Sequence, residues 1–529
     1  MKIETSNIIS NDIDVQGNKI SSYIKKSISK GYIADIISQY SDEKYVFMLI
    51  GGKSSSKVFS EKAPEGKNII GIILETPIAP EVSSSTFAPN TKLEVQQIHI
   101  NTQSREIFAG AAVTLDQISI AAQQILGNEY RVPGTDLTSR IMASSGGTFM
   151  TNGAGLKRIN FGNAALSIRL YDGQTSRIID NKKEIELLAG TYGFTGIVEE
   201  IKMQAIEVPK HDFRFAIPVN NNAQDLAKII EKFGKKTDIN IENGKIITDD
   251  YVVDGIELVT EKSIINQDNS SSDLAAVQKL LKSSGKNALV FVTGYSHKEF
   301  LEDENNWDEN FEVFLNEFPI EKIHPFDNVD EMRKIREKGP EDAKSQKLKI
   351  GEEIVQFQHS ESTDINVVVN HVNLRKNSEL VLICYDEHKK KVLNLLEENK
   401  LDGLVGNLNM YGHLNPQGLD LHYRVTIGEN DKENLNKAKS QLKKYYNELV
   451  QKIAKICQET DSKFTGGEKG AKSNTAILDS LTGKNISVAN DLKERYSLQI
   501  KAIENSSPVF NWRAKKMIKQ NPAELAETT

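Results

Sequence analysis

Hydrophobic positions along the chain change period several times, and each change marks an element. From Ile20 the apolar residues recur at Ile24, Ile28, Ile33, Ile36 and Tyr40, a spacing that predicts a helix over 20–40. Residues 1–18 before it are polar, with little periodicity, and predict a loose arm. The dense apolar run from Tyr45 to Ile50 stops sharply at Gly51-Gly52-Lys53-Ser54-Ser55. That is the pattern of a buried strand entering a tight loop. A further strand is expected near 68–74, then a hairpin over 93–113. A helix from Leu115 to Leu126 follows, with Asp116 in its first turn, where a negative charge suits the helix dipole. Strands over 165–171 and 176–179 are joined across Asp172-Gly173, a hairpin signal, and a last strand covers 197–205.

The second half mixes the two periods. Strand-like runs at 288–293 and 380–384 alternate with helical runs at 275–282 and 389–398. Leu435, Ala438, Leu442, Tyr446, Leu449, Ile453 and Ile456 form the stripe of one long helix. Residues 266–274 and 338–348 read as exposed loops, and a further helix or two is expected near the end. Together these define an α+β chain, with a first boundary after Val208-Pro209, where the composition shifts.

Composition narrows the possible functions. The 529 residues carry 73 acidic and 66 basic side chains, a formal charge of −7 spread evenly, which argues against nucleic acid as a main partner. Two cysteines, Cys384 and Cys457, exclude a disulfide scaffold and a four-cysteine metal or iron–sulfur site within this chain. No apolar run is long enough for a spanning helix, and the first residues lack the apolar core of a signal peptide. The expectation is a soluble, cytoplasmic protein, with contact at the inner face of the membrane left open.

Three constellations carry candidate chemistry. Gly52-Lys53-Ser54 invites a phosphate-loop reading, but Phe47 stands where the full pattern needs its first glycine. The loop still offers successive N–H groups, a lysine and hydroxyls that could hold a phosphate or pyrophosphate; the plainer reading is a tight turn. The stretch 133–155 holds Gly134, Gly146, Gly147, Gly153 and Gly155 together with Met142, Phe149 and Met150. Small residues at that density, mixed with apolar ones, suit a backbone-lined cofactor crevice better than a solvated linker. His413, His422 and Glu468 are a divalent-metal donor set, although from the residues alone two partly exposed histidines and a carboxylate at a helix start are the favoured reading.

The order of motifs resembles the FAD-binding domain of the vanillyl-alcohol-oxidase and p-cresol methylhydroxylase superfamily. The whole chain looks most like its D-2-hydroxyacid dehydrogenase branch. The pyrophosphate loop corresponds to Gly51-Gly52-Lys53-Ser54, and the strand–helix motif to 109–115. Pro133, Ser139, Ser145-Gly146-Gly147, Thr151-Asn152-Gly153-Ala154-Gly155 and Phe161-Gly162 follow in order, then Asp172-Gly173 and Gly190 to Val198. In the second half Ile335-Arg336-Glu337, 360–367, Gly412-His413 with Leu421-His422, Gly467-Glu468-Lys469-Gly470, and 500–511 resemble the branch less closely.

The resemblance implies a two-subdomain FAD-binding domain over 19–209, a cap domain over 210–460, and a C-terminal helical segment over 461–529 that packs back on the first. It implies non-covalent FAD, since no histidine stands in the pyrophosphate loop. The implied cofactor residues are Gly51, Gly52, Lys53, Ser54, Ser55, Pro133, Gly134, Ser139, Ser145, Gly146, Gly147, Thr151, Asn152, Gly155, Gly196, Ile197 and Asn511. His413, His422 and Glu468 would hold zinc or manganese, Arg336 would pair with a substrate carboxylate, and Lys469 would act as base, with His413 beside the reacting group. The implied reaction is oxidation of a D-2-hydroxy acid to the 2-oxo acid, with a quinone, cytochrome or flavoprotein as electron acceptor and a homodimer as assembly. A flavin-binding subunit that has lost the reaction is the alternative. Three departures bear on the choice. The histidines lie nine apart, wider than the family spacing; Lys469 replaces a histidine; and Trp512-Arg513 replaces the closing Pro-Gly.

Overall fold

The computed structural model describes residues 7–10, 23–28, 31–40, 45–50, 67–137, 140–155, 160–248, 251–265, 267, 271–297, 323–326, 331–336, 347–350, 353–362, 365–399, 409–428, 432–466, 471–481 and 483–511. The first unit is a four-stranded sheet in the order Asn7–Ser10, Tyr23–Ile28, Asn68–Leu74, Tyr45–Ile50. The last three run parallel, and Ile69, Ile70 and Ile72 on the central strand are buried. The expected helix over 20–40 is instead a strand, Tyr23–Ile28, and a short helix, Ile33–Ser38. Gly31, at φ +94°, turns the chain between them, and the β-branched isoleucines suit a strand lying on Asn68–Leu74. The arm expected to be loose contributes the edge strand Asn7–Ser10.

The second sheet has six strands in the order Ser176–Ile179, Ala165–Tyr171, Ile197–Gln204, Glu106–Gly110, Gln97–Asn101, Glu81–Ser85. Both expected hairpins are present in it. The helix Leu115–Leu126 packs on this sheet through Leu115, Ile118, Ala121 and Ala122. A capping box starts it. Gln117 N–H donates to Thr114 Oγ1 at 3.2 Å, and Thr114 N–H donates to Gln117 Oε1 at 3.0 Å.

The second half is built on an eight-stranded sheet whose centre runs His211–Val219, Ala288–Ser296, Tyr251–Thr260, Asn409–His413, Asp420–Gly428. Helices Ala223–Gly234, Leu374–Glu398 and Lys432–Thr460 cover one face, where Leu226, Ile230, Tyr385 and Ile453 meet Leu258, Val290 and Val292. On the other face Leu274, Val277 and Ile335 meet Val259, Leu289 and Phe291. The strand expected at 380–384 is part of Leu374–Glu398. A short apolar run reads alike in either element; here Val381, Leu382, Cys384 and Tyr385 are one buried helical face.

Of the C-terminal helices, Ala471–Ser480 packs on Lys432–Thr460 in the second half, while Asn490–Glu504 and Pro508–Asn511 return to the first half. Gln499 Nε2 donates to the Ala189 carbonyl at 3.0 Å, and Ser506 Oγ donates to the Phe194 carbonyl at 2.7 Å. The Phe510 ring lies 5.9 Å from that of Phe47. Among the described residues no helix is long and apolar enough to cross a membrane.

Candidate functional site

The stretch over 133–155, expected as a loop, folds around a short helix, Ser145–Thr151. Ser144 caps it, accepting from Gly147 N–H at 3.3 Å. Ser145 N–H donates to the Val113 carbonyl at 2.8 Å, and Gly146 N–H to that of Ala111 at 3.1 Å, so the helix start is laced to the strand–helix turn at 110–115. From the other side Gly190 N–H donates to Phe149 O at 3.1 Å and Tyr192 N–H to Met150 O at 2.8 Å. At the exit Asn152 adopts the left-handed conformation, φ +51°, and its Oδ1 accepts from Gly162 N–H at 3.0 Å. Three segments, at 111–113, 162 and 190–192, thus meet on one helix.

The glycines serve this packing. A Cβ on Gly146 would lie 2.8 Å from Ala111 Cβ, one on Gly153 2.7 Å from Leu137, and one on Gly155 2.6 Å from the Asp136 carbonyl. Gly196, at φ +139°, leaves no room for a Cβ beside the Tyr171 carbonyl. Several residues expected on the cofactor are turned inward instead. Ser145 is fully buried, its Oγ donating to the Gly110 carbonyl at 3.0 Å. Ile197 lies wholly in the core that joins the first two sheets. The Asn511 amide donates to the carbonyls of Ile503 and Ser506, closing the last long helix. Gly134 is buried at φ +79°, and Pro133 is half-buried. Gly51, Gly52, Lys53, Ser54, Ser55 and Ser139 lie outside the described residues.

One surface of the unit remains open. Gly147, Thr151, Asn152, Gly153 and Ala154 are half-exposed, while 143–146 and 148–150 are buried. Thr151 Oγ1 is folded back on the Gly147 carbonyl at 3.1 Å, which keeps this strip low. A run of glycine and short side chains beside buried apolar residues leaves the backbone open to close approach by a ligand.

The second constellation lies on the eight-stranded sheet. Strands Asn409–His413 and Asp420–Gly428 pair antiparallel, with His413 opposite Asp420 and Tyr411 opposite His422. The two histidine positions are therefore diagonal neighbours despite their nine-residue spacing. On its other side His413 stands opposite Glu257. Glu257 Oε2 accepts from Arg336 Nη1 at 2.8 Å, with side-chain exposures of 8% and 4%. Arg336, expected to present an open fork to a substrate carboxylate, already has a buried carboxylate on it. Sequence reasoning missed Glu257; the signal was an acid within the apolar strand Tyr251–Thr260. Arg495 was missed as well. Its guanidinium, buried and so pulled below its ordinary pKa, donates to the Thr465 carbonyl at the end of Lys463–Gly466. Glu468 and Lys469 lie outside the described residues. Among the described residues no three metal-binding side chains converge, so the expected zinc or manganese site has no support there.

The α+β fold, with its helical C-terminal segment, is matched over most of its length by solved structures. Among the solved structures it resembles are two of alkyldihydroxyacetonephosphate synthase, each with a TM-score of 0.54 and 10% identity. The matches cover 92% and 94% of this chain, and 76% and 77% of those chains. At that identity the likeness speaks for the fold alone. No protein-family model and no curated protein matches the sequence.

Proposed function

We propose that the chain is an FAD-dependent oxidoreductase that oxidises a D-2-hydroxy acid. The supporting observation is the low, half-exposed strip at Gly147 and 151–154, in a fold of the type the sequence motifs resemble. Gly147, Thr151 and Asn152 would border the cofactor there. FAD, when bound, supplies the acceptor for the hydride from C2. Arg336 is the candidate for the substrate carboxylate, and for that Glu257 must give up its bond to it. Lys469 takes the hydroxyl proton, which requires a neutral amine and hence a pKa depressed from about 10.4 by burial. No step runs through a metal.

One observation favours a second reading, a flavin-binding protein without this reaction. Glu257 neutralises Arg336, and a neutral pair draws an anionic substrate weakly. Anaerobic titration with D- and L-2-hydroxy acids separates the two. In the enzyme the D-acids bleach the flavin, bleaching quickens as pH rises, and Lys469→Ala abolishes it with FAD retained. A yellow protein that no acid bleaches is the second reading, and Lys469→His should then restore some bleaching. A protein that takes up no FAD removes both.

A further inference from the structure

The strand Glu81–Ser85 runs parallel to Gln97–Asn101, and the register sets Ser83 opposite His99. Residues two apart on a strand share a face, and so do residues paired across the ladder. Ser83 and Ser85 therefore stand on the face that carries His99, while Ile98 and Ile100 point the other way, into the core under Leu115–Leu126. The His99 ring is 8% exposed and lies against Phe108, with ring centroids 6.3 Å apart.

Both ring nitrogens are engaged, and their partners fix the proton. Nε2 lies 3.0 Å from the Phe87 carbonyl, which only accepts, so Nε2 carries a hydrogen. The neutral ring then keeps its lone pair on Nδ1, and Ser83 Oγ, 2.9 Å away, donates to it. The Ile98 carbonyl, at 3.4 Å, is the weaker acceptor for that hydroxyl. Ser85 braces the arrangement. Its Oγ accepts from Phe87 N–H at 3.1 Å, donates to the Phe87 carbonyl at 2.8 Å and lies 3.2 Å from Nε2. A hydroxyl, an imidazole and an acceptor that orients the imidazole thus follow one another, as a nucleophilic serine requires. A backbone carbonyl takes the place of the usual carboxylate, and Nδ1 rather than Nε2 faces the hydroxyl. Ser83 itself is exposed.

The sheet edge adds a donor. Glu81 N–H donates to the Gln96 carbonyl and the Ser85 carbonyl accepts from Thr102 N–H, so residues 81, 83 and 85 turn their backbone groups inward. The N–H of Ser84 points out of the open edge, and the residue after a nucleophile is a common source of oxyanion donors.

We infer that Ser83 and His99 form a second catalytic site, of the esterase type, for small carboxylic esters that approach from solvent. Ser83 Oγ bonds to the ester carbonyl carbon as its proton passes to His99 Nδ1, and Ser84 N–H donates to the carbonyl oxygen as it gains charge. The bond to the leaving alcohol breaks, and the alcohol takes the proton from Nδ1. Water then attacks the acyl group on Ser83 by the same route, releasing the carboxylic acid and restoring the hydroxyl. Phe87, 72% exposed, offers an apolar contact to the substrate. This inference is independent of the flavin reading.

The test is covalent labelling of the full chain by an alkyl fluorophosphonate at neutral pH, with the modified peptide located by mass spectrometry. Ser83 Oγ bonds to phosphorus and fluoride leaves, so the label stays on the chain. One label per chain is expected, on Ser83, with or without added FAD. Ser83→Ala should abolish it. His99→Gln, which cannot take the proton, should slow it roughly 100-fold or more. Ser84→Ala keeps its N–H and should label within about twofold of wild type, because the proposed donor is backbone. Absence of labelling, equal labelling of Ser83 and Ser84, a label on Ser85 instead, or a rate that His99→Gln leaves unchanged overturns the proposal. Should His99→Gln fail to fold, as judged by circular dichroism, the choice between Ser83 and Ser84 still decides, since both are exposed on one strand and Ser83 is the one held by the imidazole.

Discussion

Removing one member of the Glu257–Arg336 pair should cost far more than removing both. The two side chains are 8% and 4% exposed and joined at 2.8 Å, among Val259, Phe291, Met332 and Ile335. At an effective dielectric near 20 such a contact is worth roughly 4 kcal/mol, most of it offset by the cost of desolvating both charges. Glu257→Leu leaves Arg336 charged in an apolar setting, and the expected loss is about 3–5 kcal/mol. For a unit of 150–250 residues that lowers the melting midpoint by roughly 6–20 °C. Arg336→Met should do about the same by stranding the carboxylate. The double variant, Glu257→Leu with Arg336→Met, replaces both charges by apolar groups and should melt closer to wild type than either single variant. Thermal unfolding of the four proteins at neutral pH, followed by far-ultraviolet circular dichroism, closes the cycle. A double variant that loses the sum of the two single losses refutes the reasoning, because the charges would then be held by separate partners.

The purified protein should be yellow and release its flavin on acid precipitation; a colourless protein that takes up no FAD would contradict the cofactor assignment. Gly147→Leu should lower flavin retention without lowering helix content, measured as bound absorbance per chain. Gly155→Ala, whose Cβ would meet the Asp136 carbonyl at 2.6 Å, should cost about 1–3 kcal/mol, read from denaturant midpoints. Burial pulls the His388 pKa down from 6.5 to about 4. Below pH 6.5 the unfolded chain therefore binds the extra proton, and stability falls towards pH 4 by up to ~3 kcal/mol. His388→Leu should flatten that decline, and an unchanged slope would count against the assignment.

Elements whose partners lie close in sequence were legible. The run at 45–50, the Asp172-Gly173 hairpin and the capped helix Leu115–Leu126 follow from local pattern and turn chemistry. The regions at 20–40 and 380–384 were misread because a few apolar residues carry no unambiguous period, and a single glycine or a long flanking helix settles them. In the glycine-rich motifs, Gly146, Gly153, Gly155 and Gly196 answer to Ala111, Leu137, Asp136 and Tyr171 rather than to open space. Glu257 could not be tied to Arg336 from sequence, because 79 residues and a strand register separate them. The same holds for the two histidines. Their spacing alone excluded a shared helix face, and the register of two strands made them diagonal neighbours.

The two cysteines provide a last check, on how tightly the helical layer of the second half is closed. Cys384 lies on Leu374–Glu398 and Cys457 on Lys432–Thr460, both buried in the largest apolar core. Burial raises their thiol pKa values from 9.0 to about 11 and about 12. The thiolate is the reactive species, so at pH 8 the folded protein holds on the order of 10⁻³ of Cys384 and 10⁻⁴ of Cys457 in that form, against roughly a quarter for an exposed thiol. Access is restricted as well, because a reagent must part the two helices before it can reach either sulfur. Maleimide labelling of the native protein at pH 8 should therefore be slower by a factor of several hundred or more than labelling in denaturant. Its rate should follow the opening of this layer, rising in the Glu257→Leu variant if the damage spreads through the sheet to the helices on its other face. Rapid labelling of both thiols in the folded wild type would mean that the two helices part readily, and the core drawn around Tyr385 and Ile453 would then be wrong.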